Sequence, residues 1–312
     1  MSSFSTNGSS SPQSFTLIAA TFTAFNADGS LNLAAIERQA ELLVRQEVNG
    51  VFVCGTTGEG VSLTTDERMQ VAARWCEVAS DSLQVIVHVG HNSLAEARDL
   101  AAHAQRIKAA GVGAVSPSFF RPRDVSTLVD VCSSIAEAAT DLPFYYYHIP
   151  VMTGIHLPMA DFFELARARI PNFAGLKFTH EDLMDYARCL ELAGEEYAIF
   201  FGRDEILLAA LSLGARGAVG STYNFAAPIF REVVAAFRAG DLDRARRVQA
   251  EARRMIELIV KYRGVAAQKT LMSWLGIDCG PLRLPLASLT SEEATSLRRE
   301  MEQLGILDRL LA

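Results

Sequence analysis

Short apolar runs alternate with amphipathic stretches along most of the chain, a pattern typical of β-strands followed by α-helices. The apolar runs, spaced at first by roughly thirty residues, begin near Leu17, Val51, Gln84, Ala114, Phe144, Phe173, Ala198 and Ala218. The helical patterns between them cover 33–48, 64–80, 93–110, 125–140, 158–169, 181–193 and 205–213. Eight such units without a long linker predict a (β/α)8 TIM barrel of the α/β class.

The strand runs are continuously apolar, as in Val51-Phe52-Val53 and Val85-Ile86-Val87, which is typical of parallel strands covered on both faces. An open doubly wound sheet would normally place a glycine-rich phosphate loop after its first strand, but Thr21–Phe25 contains no glycine. We interpret Gly111-Val112-Gly113 as preceding a strand, so it does not predict a dinucleotide site. The closed barrel is therefore favoured over the open sheet.

Only helical patterns follow the eighth strand, near 228–238, 242–261, 264–275 and 291–304. A barrel needs one closing helix, so we expect the barrel to span residues 15–238. Residues 239–312 are then expected to form a helical extension packed on the barrel. Residues 1–14 are rich in serine and lack both a basic start and an apolar core, which predicts a disordered tail.

The net charge and the cysteine content limit which partners and which cellular location the sequence is compatible with. The 312 residues carry a net charge of −7 and no block of Lys and Arg, which argues against nucleic-acid and membrane-surface partners. No apolar run approaches the roughly 18–20 residues that span a bilayer. Five scattered cysteines without a C-x-x-C pair predict reduced, buried thiols and a cytoplasmic location.

Lys177 lies within the apolar run Phe173–Phe178, where a charged ammonium is costly to keep. Burial lowers the pKa of a lysine and leaves a neutral amine, which is a nucleophile toward carbonyl carbon. We interpret the other lysines, Lys108, Lys261 and Lys269, as lying on helix surfaces or at helix ends. The alternative for Lys177 is a side chain whose stem packs while its ammonium reaches water.

Reactive groups of a barrel lie at the C-terminal ends of strands and in the loops that follow. Gly55–Glu59 places two threonine hydroxyls between glycines after the second strand, which suits a carboxylate ligand, although a plain turn is the alternative. In Phe144–Pro150, strand alternation sends Tyr145 and Tyr147 to one face and Tyr146 to the other. A tyrosine near a lysine can act as general acid and base, whereas packing in an aromatic core is the alternative.

Two later strand ends carry further polar groups. The acids that open a helix in Gly202–Glu205 either complement the helix dipole or bind substrate hydroxyls, and Gly220–Asn224 leaves the same choice open. His88 and His91 have no carboxylate or thiol nearby in sequence, so no metal site is predicted. We interpret His148, which precedes Ile-Pro, as structural.

Three of these segments occur in a specific order: Gly55–Glu59 after the second strand, Tyr147–Pro150 at the fifth and Gly175–Lys177 in the sixth. Together they resemble the dihydrodipicolinate synthase/N-acetylneuraminate lyase family, and the resemblance extends from Leu17 into the C-terminal helices. Members of this family are pyruvate-handling barrels that bond substrate to a lysine as a Schiff base. The resemblance therefore implies a homotetramer that needs no metal and no cofactor.

The motif positions also carry implied roles. The resemblance implies that Lys177 is the Schiff-base lysine, that Tyr147 is the proton-transferring phenol, and that Thr56 and Thr57 hold the pyruvate carboxylate. The positions that match those holding the sugar part of the substrate are Thr179, Gly202, Asp204, Glu205 and Ser221. Arg203 lies among these positions, where its side chain can alter sugar preference.

Two departures from the synthase branch favour the lyase branch. Phe119 stands where the synthases carry a tyrosine, and Met152 stands where they place an arginine for a second carboxylate. The resemblance therefore implies reversible cleavage of N-acetylneuraminate, a keto-acid sugar, to pyruvate and N-acetylmannosamine. The alternatives are another pyruvate-dependent aldolase or dehydratase acting on a 2-keto-3-deoxy sugar acid, and a non-catalytic barrel that binds a keto acid.

Overall fold

The structure, a computed structural model, describes residues 15–79 and 83–311, so the predicted tail at residues 1–14 lies outside the described residues. Its strands are β1 (Thr16–Ala20), β2 (Gly50–Val53), β3 (Gln84–His88), β4 (Gly111–Ala114), β5 (Phe144–His148), β6 (Phe173–Phe178), β7 (Ala198–Phe201) and β8 (Gly217–Gly220). Each strand pairs in parallel with the next, and β8 pairs with β1 to close the sheet. The prediction of a (β/α)8 barrel is confirmed.

Helices cover the outside of the barrel and continue beyond its last strand. They are α1 (Ala35–Arg45), α2 (Thr65–Val78), α3 (Leu94–Arg106), α4 (Val125–Ala136), α5 (Pro150–Thr153), α6 (Met159–Arg169), α7 (Leu183–Ala193), α8 (Leu207–Ser212), α9 (Ala227–Arg238), α10 (Leu242–Lys261), α11 (Val265–Trp274), α12 (Ser291–Gln303) and α13 (Leu307–Leu311). Short 3₁₀ helices cover Gly60–Ser62, Asp204–Ile206 and Thr222–Asn224. The helix predicted at 205–213 is therefore divided between a 3₁₀ turn and α8.

The start of β4 differs from the sequence-based expectation. Gly111 and Gly113 lie within this strand rather than before it. A Cβ at Gly113 would lie 2.6 Å from the Phe52 ring, and one at Gly111 would lie 3.2 Å from the Tyr145 ring. Aromatic side chains of β2 and β5 occupy the barrel interior at this point. The β4 backbone can lie this close to them only where its residues are glycine.

The core has two regions on opposite sides of the sheet. Inside the barrel, Tyr145 and Tyr147 belong to a cluster with Phe52 and Phe200. Tyr146 points outward, where its ring centroid lies 4.7 Å from that of Phe162 on α6. The predicted alternation of the three tyrosines is confirmed, and it places Tyr147 on the same side of the sheet as the interior cluster.

The cysteines and the helices bear on the cellular setting. All five cysteines are free, and four of them are buried, whereas Cys76 is partly buried. Across residues 15–79 and 83–311, no helix combines the length and apolarity that crossing a bilayer requires.

Candidate active site

Lys177 on β6 lies between neighbouring strands, opposite Tyr147 of β5 and Phe200 of β7. Its side chain is only 4% exposed, so the alternative of an ammonium that reaches water is wrong. Nζ lies 4.0 Å from the ring centroid of Tyr147 and 4.2 Å from that of Phe52. Burial lowers the pKa of Lys177 to about 7, although the charge of Asp204 opposes this shift. A large fraction of the amine is therefore neutral at neutral pH.

The phenol of Tyr147 lies at the same end of the barrel. Its oxygen is 3.4 Å from Oγ1 of Thr56, and the Thr179 hydroxyl lies near it. Burial raises the pKa of Tyr147, and the hydrogen bond to Thr56 opposes that rise. The phenol is therefore protonated at neutral pH. It can relay a proton between two groups, but it is not an ionised general base in the free enzyme.

The loop Gly55–Glu59 joins β2 to the short 3₁₀ helix that follows. Thr57 is buried and Thr56 is exposed, and Thr23 donates a 2.7 Å hydrogen bond to a carbonyl within the loop. The Thr56 hydroxyl contacts Tyr147 of another strand rather than its own backbone. The loop thus presents a hydroxyl toward the phenol beside Lys177, which a plain turn would not require.

Asp204 follows β7 and is 6% exposed. Its Oδ2 accepts hydrogen bonds from Oγ1 (2.5 Å) and from the backbone N–H (3.2 Å) of Thr222. Its Oδ1 is buried and has no hydrogen-bond partner within the described part of the chain. Burial raises the pKa of Asp204 to about 6, and the bonds from Thr222 oppose that rise. The Tyr223 phenol lies close to this carboxylate, so Oδ1 is a buried acceptor that either this phenol or a ligand hydroxyl can satisfy.

Thr179 follows β6 and Gly202 follows β7, and the Thr179 hydroxyl lies where a side chain at position 202 would begin. A Cβ at Gly202 would lie 2.0 Å from Oγ1 of Thr179. That hydroxyl is buried and lies near the Tyr147 phenol, but it forms no well-aligned hydrogen bond among residues 15–79 and 83–311. Glycine at position 202 therefore leaves the Thr179 hydroxyl in its place beside the Tyr147 phenol.

Glu205 and Ser221 are also at this end of the barrel. Arg203 forms ion pairs with Glu205, at 3.2 Å, and with Glu181. The carboxylate of Glu205, whose side chain is 30% exposed, is therefore paired with the Arg203 guanidinium. The Ser221 hydroxyl accepts a 3.0 Å hydrogen bond from Nε2 of Gln268 on α11.

Sequence reasoning missed two glutamines that the C-terminal helices bring to the barrel. Gln249 of α10 donates to the Asp204 carbonyl (3.1 Å) and accepts from the Leu208 N–H (2.9 Å). Gln268 of α11 contacts Ser221. Both glutamines are more than nine-tenths buried, at 9% and 7% exposure. The available signal was an amide side chain on the apolar face of an amphipathic helix.

The prediction that Lys269 lies on a helix surface is wrong. Its side chain is 5% exposed, and its Nζ lies 2.7 Å from Oε1 of Glu59. α11 is buried along most of its length, so this helix offers the lysine little solvent-facing surface. Lys108 and Lys261 are exposed, as predicted.

Two histidines differ in their position relative to the barrel: His148 lies outside its interior, and His88 lies inside it beside Tyr147. His148 points away from the barrel interior, with its ring centroid 5.2 Å from that of Phe178. Burial lowers the pKa of His148 to about 3, so this ring is neutral at neutral pH. His88 lies inside the barrel, where Arg68 donates to its carbonyl at 2.6 Å. In the part of the chain that the structure describes, no group of three or more potential ligands could hold a metal ion.

Both positions that distinguish the family branches are exposed in this chain. Met152 on α5 is 61% exposed, and Phe119 in the loop after β4 is 79% exposed. Met152 is not buried in the single chain. This position therefore differs from the synthases in lacking an arginine, and not in forming a buried apolar contact.

The dihydrodipicolinate synthetase family model matches residues 13–304. The chain belongs to this family. Among its relatives in the family, the N-acetylneuraminate lyase of Gallus gallus is 40% identical over 293 residues, covering 92% of this chain and 95% of that one. The N-acetylneuraminate lyase of Homo sapiens is 40% identical over 296 residues, covering 93% and 92%. The structure of Proteus mirabilis N-acetylneuraminate lyase superposes with a TM-score of 0.91 at 38% identity, covering 95% and 100%.

Proposed function

We propose that the protein is a class I aldolase that reversibly cleaves N-acetylneuraminate to pyruvate and N-acetylmannosamine. The observation that carries this proposal is the buried Lys177, 4% exposed and facing the ring of Tyr147. Relatives named N-acetylneuraminate lyase, 40% identical over more than nine-tenths of the chain, support the choice of substrate.

The first step uses the neutral amine. Lys177 adds to the C2 ketone of the open-chain sugar acid, and loss of water leaves a protonated imine. Thr56 and Thr57 hold the substrate carboxylate and orient the ketone toward Nζ. Burial of Lys177, which lowers its pKa to about 7, supports this role because only the unprotonated amine is nucleophilic.

Bond cleavage then uses the imine as the electron acceptor. The C3–C4 bond breaks, its electron pair moves toward the iminium nitrogen, and an enamine forms. Tyr147 takes the proton of the C4 hydroxyl while its own proton passes to the substrate carboxylate, and N-acetylmannosamine leaves. Protonation at C3 and hydrolysis of the imine release pyruvate and restore the free amine. This chemistry needs neither a metal nor a cofactor.

The polyol part of the substrate is assigned to Thr179, Gly202, Asp204, Glu205 and Ser221. The buried Oγ1 of Thr179 and Oδ1 of Asp204, neither of which forms a well-aligned hydrogen bond in the described ranges, support this assignment. Sugar hydroxyls satisfy such groups, and binding far from the reacting carbon orients the C3–C4 bond. Arg203, paired with Glu205 at 3.2 Å, competes with sugar hydroxyls for that carboxylate and thereby affects sugar preference.

A substrate panel tests this function. Purified enzyme is assayed for pyruvate release from N-acetylneuraminate and from a 2-keto-3-deoxy sugar acid, with Lys177→Met as the inactive control. We expect a higher kcat/KM on N-acetylneuraminate. Faster cleavage of the deoxy acid would favour the other pyruvate-dependent aldolase or dehydratase. Pyruvate binding without turnover on either substrate would favour the non-catalytic barrel.

We further propose a cytoplasmic homotetramer whose only ligands are small keto acids and sugars. Free cysteines, four of them buried, support a reducing compartment. Self-association is supported by apolar side chains that are exposed in the single chain at Phe119 (79%), Phe120 (85%), Val151 (75%) and Met152 (61%), which we call the apolar surface. Residues 119–123 and 154–157 line an open cleft of about 700 Å³ beside it.

A further inference from the structure

A buried ion pair joins the C-terminal helices to the loop Gly55–Glu59. Nζ of Lys269 on α11 lies 2.7 Å from Oε1 of Glu59, and the two side chains are 5% and 0% exposed. Lys269 also donates to the carbonyl of Pro281 at 3.1 Å, and Nζ lies 4.7 Å from the ring centroid of Phe25. The mechanism proposed above uses neither charge, although burying two charges is costly.

The second oxygen of the Glu59 carboxylate is also held. Oε2 accepts a 3.0 Å hydrogen bond from the backbone N–H of Arg283. The Arg283 guanidinium in turn binds Glu67 of α2 in two places, at 2.5 Å and 2.7 Å, and donates to the Gly29 carbonyl at 2.9 Å. Glu59 is therefore fixed between α11 and a segment that is itself tied to α2 and to the loop after β1.

Glu59 needs this support because of its backbone. It has a left-handed conformation, with φ of 53°, and Cys54 at the other end of the loop has φ of 58°. Non-glycine residues rarely adopt this conformation unless surrounding contacts hold them there. The Glu59 N–H donates to the Thr56 carbonyl at 3.1 Å, so a change of the Glu59 backbone moves the threonine directly.

We propose that Lys269, acting through Glu59, is a positioning residue for the two threonine hydroxyls that bind the pyruvate carboxylate. The ion pair keeps Glu59 in its left-handed conformation, and Glu59 fixes the loop on which Thr56 and Thr57 lie. Lys269 does not contact the substrate. This inference rests on the function proposed above and assigns to the C-terminal helices a part in binding the pyruvate half of the substrate.

The test measures pyruvate binding separately from sugar cleavage. Pyruvate is titrated in the presence of borohydride, and the concentration that gives half-maximal reduced adduct is determined for each variant. Lys269→Met is expected to raise this concentration about tenfold or more, because a displaced loop orients the carboxylate poorly. The maximal adduct at saturating pyruvate stays near that of the wild type, since Lys177 itself is unchanged.

Further variants separate positioning from general stability. The double variant Glu59→Gln with Lys269→Met leaves neither charge buried alone, and it is expected to recover part of the pyruvate affinity. Ser273→Ala, on the exposed part of α11, is the matched control and leaves the half-maximal concentration unchanged. If Lys269→Met does not fold, Glu59→Gln replaces it, because the unpaired lysine can lose its proton.

The inference is overturned if folded Lys269→Met, or Glu59→Gln in its place, binds pyruvate within twofold of the wild type. It is also overturned if melting temperature falls while the half-maximal concentration does not change, since the pair would then be structural only. An absence of adduct in the wild type contradicts the proposed function itself. Wild-type adduct with unchanged variants contradicts only the positioning role.

Discussion

At the scale of residues, two buried lysines differ in what surrounds their ammonium groups. Lys269 has a carboxylate partner at 2.7 Å, whereas Nζ of Lys177 lies over aromatic rings, 4.0 Å from that of Tyr147. An unpaired amine favours its neutral form, and a paired one keeps its charge. The apolar run around Lys177 predicted a buried strand but left open whether the ammonium reaches water, and the structure shows the side chain buried. The partner of Lys269 could not be predicted, because Glu59 is distant in the chain.

The pH dependence of adduct formation reports the charge on Lys177. Its amine has a pKa of about 7, so the rate of pyruvate adduct formation should rise with pH through that value. The Asp204 carboxylate raises the pKa of Lys177, so Asp204→Asn should shift the rise about one unit to lower pH. Initial rates of borohydride trapping across pH give both midpoints. Pyruvate lacks the polyol, which removes any effect of Asp204 on sugar binding.

The size restriction at Gly202 gives a second prediction. Gly202→Ala would place a Cβ 2.0 Å from Oγ1 of Thr179, which must then move. We expect kcat/KM for N-acetylneuraminate to fall about tenfold or more, because a displaced hydroxyl misorients the polyol. Gly214→Ala is the control: a Cβ there meets no atom within 4 Å, and its positive φ imposes a backbone strain that Gly202→Ala does not. An equal loss of activity in both variants would contradict the explanation.

At the scale of elements, the alternation of side chains along a strand was more predictable than the packing of helices. Period-two alternation correctly placed Tyr145 and Tyr147 on one face, and the structure shows that this face lines the barrel interior, where β5 pairs Tyr147 with Lys177 of β6. The predicted start of β4 was wrong because glycine weakens the strand pattern in the sequence. In the structure, glycine in this strand makes room for Phe52. The contact from α10 to Asp204 depends on how helices pack after the barrel closes, which no local pattern encodes.

Gln249 is the test of that helix contact. Gln249→Leu leaves the Asp204 carbonyl and the Leu208 N–H without their partner in the interior. We expect a loss of about 2 kcal/mol in the free energy of unfolding and a raised KM for the sugar acid. Denaturant titration and steady-state kinetics measure the two effects. The matched control Gln70→Leu, whose exposed amide donates to exposed Asp66, should change stability by less than about 0.5 kcal/mol.

At the scale of the whole molecule, the sequence predicted the barrel architecture better than it predicted which helices contact the candidate site. Alternating strand and helix patterns were sufficient for the barrel, because each unit is a local pattern. The sequence predicted a helical extension after the barrel. It did not predict that Gln268 of α11 would contact Ser221. Such a contact joins segments far apart in the chain, so only the folded structure reveals it.

Assembly is predicted from the apolar surface. Phe119→Lys with Phe120→Lys should dissociate the proposed tetramer, because a desolvated charge opposes association of apolar surfaces. The substitutions should leave the barrel folded, since both side chains are exposed in the single chain. Sedimentation equilibrium measures the mass, with Val260→Lys, an exposed apolar position on α10, as the control. A wild-type monomer, or a double variant with unchanged mass, would contradict this prediction.

The most direct test of the account is the identity of the lysine that bonds to pyruvate. The wild-type protein is incubated with pyruvate, reduced with borohydride and mapped by peptide mass spectrometry, with Lys177→Met as the control. The account predicts a single reduced pyruvyl adduct at Lys177 and none in the variant. An adduct at Lys108, Lys261 or Lys269, or no adduct at all, would contradict it.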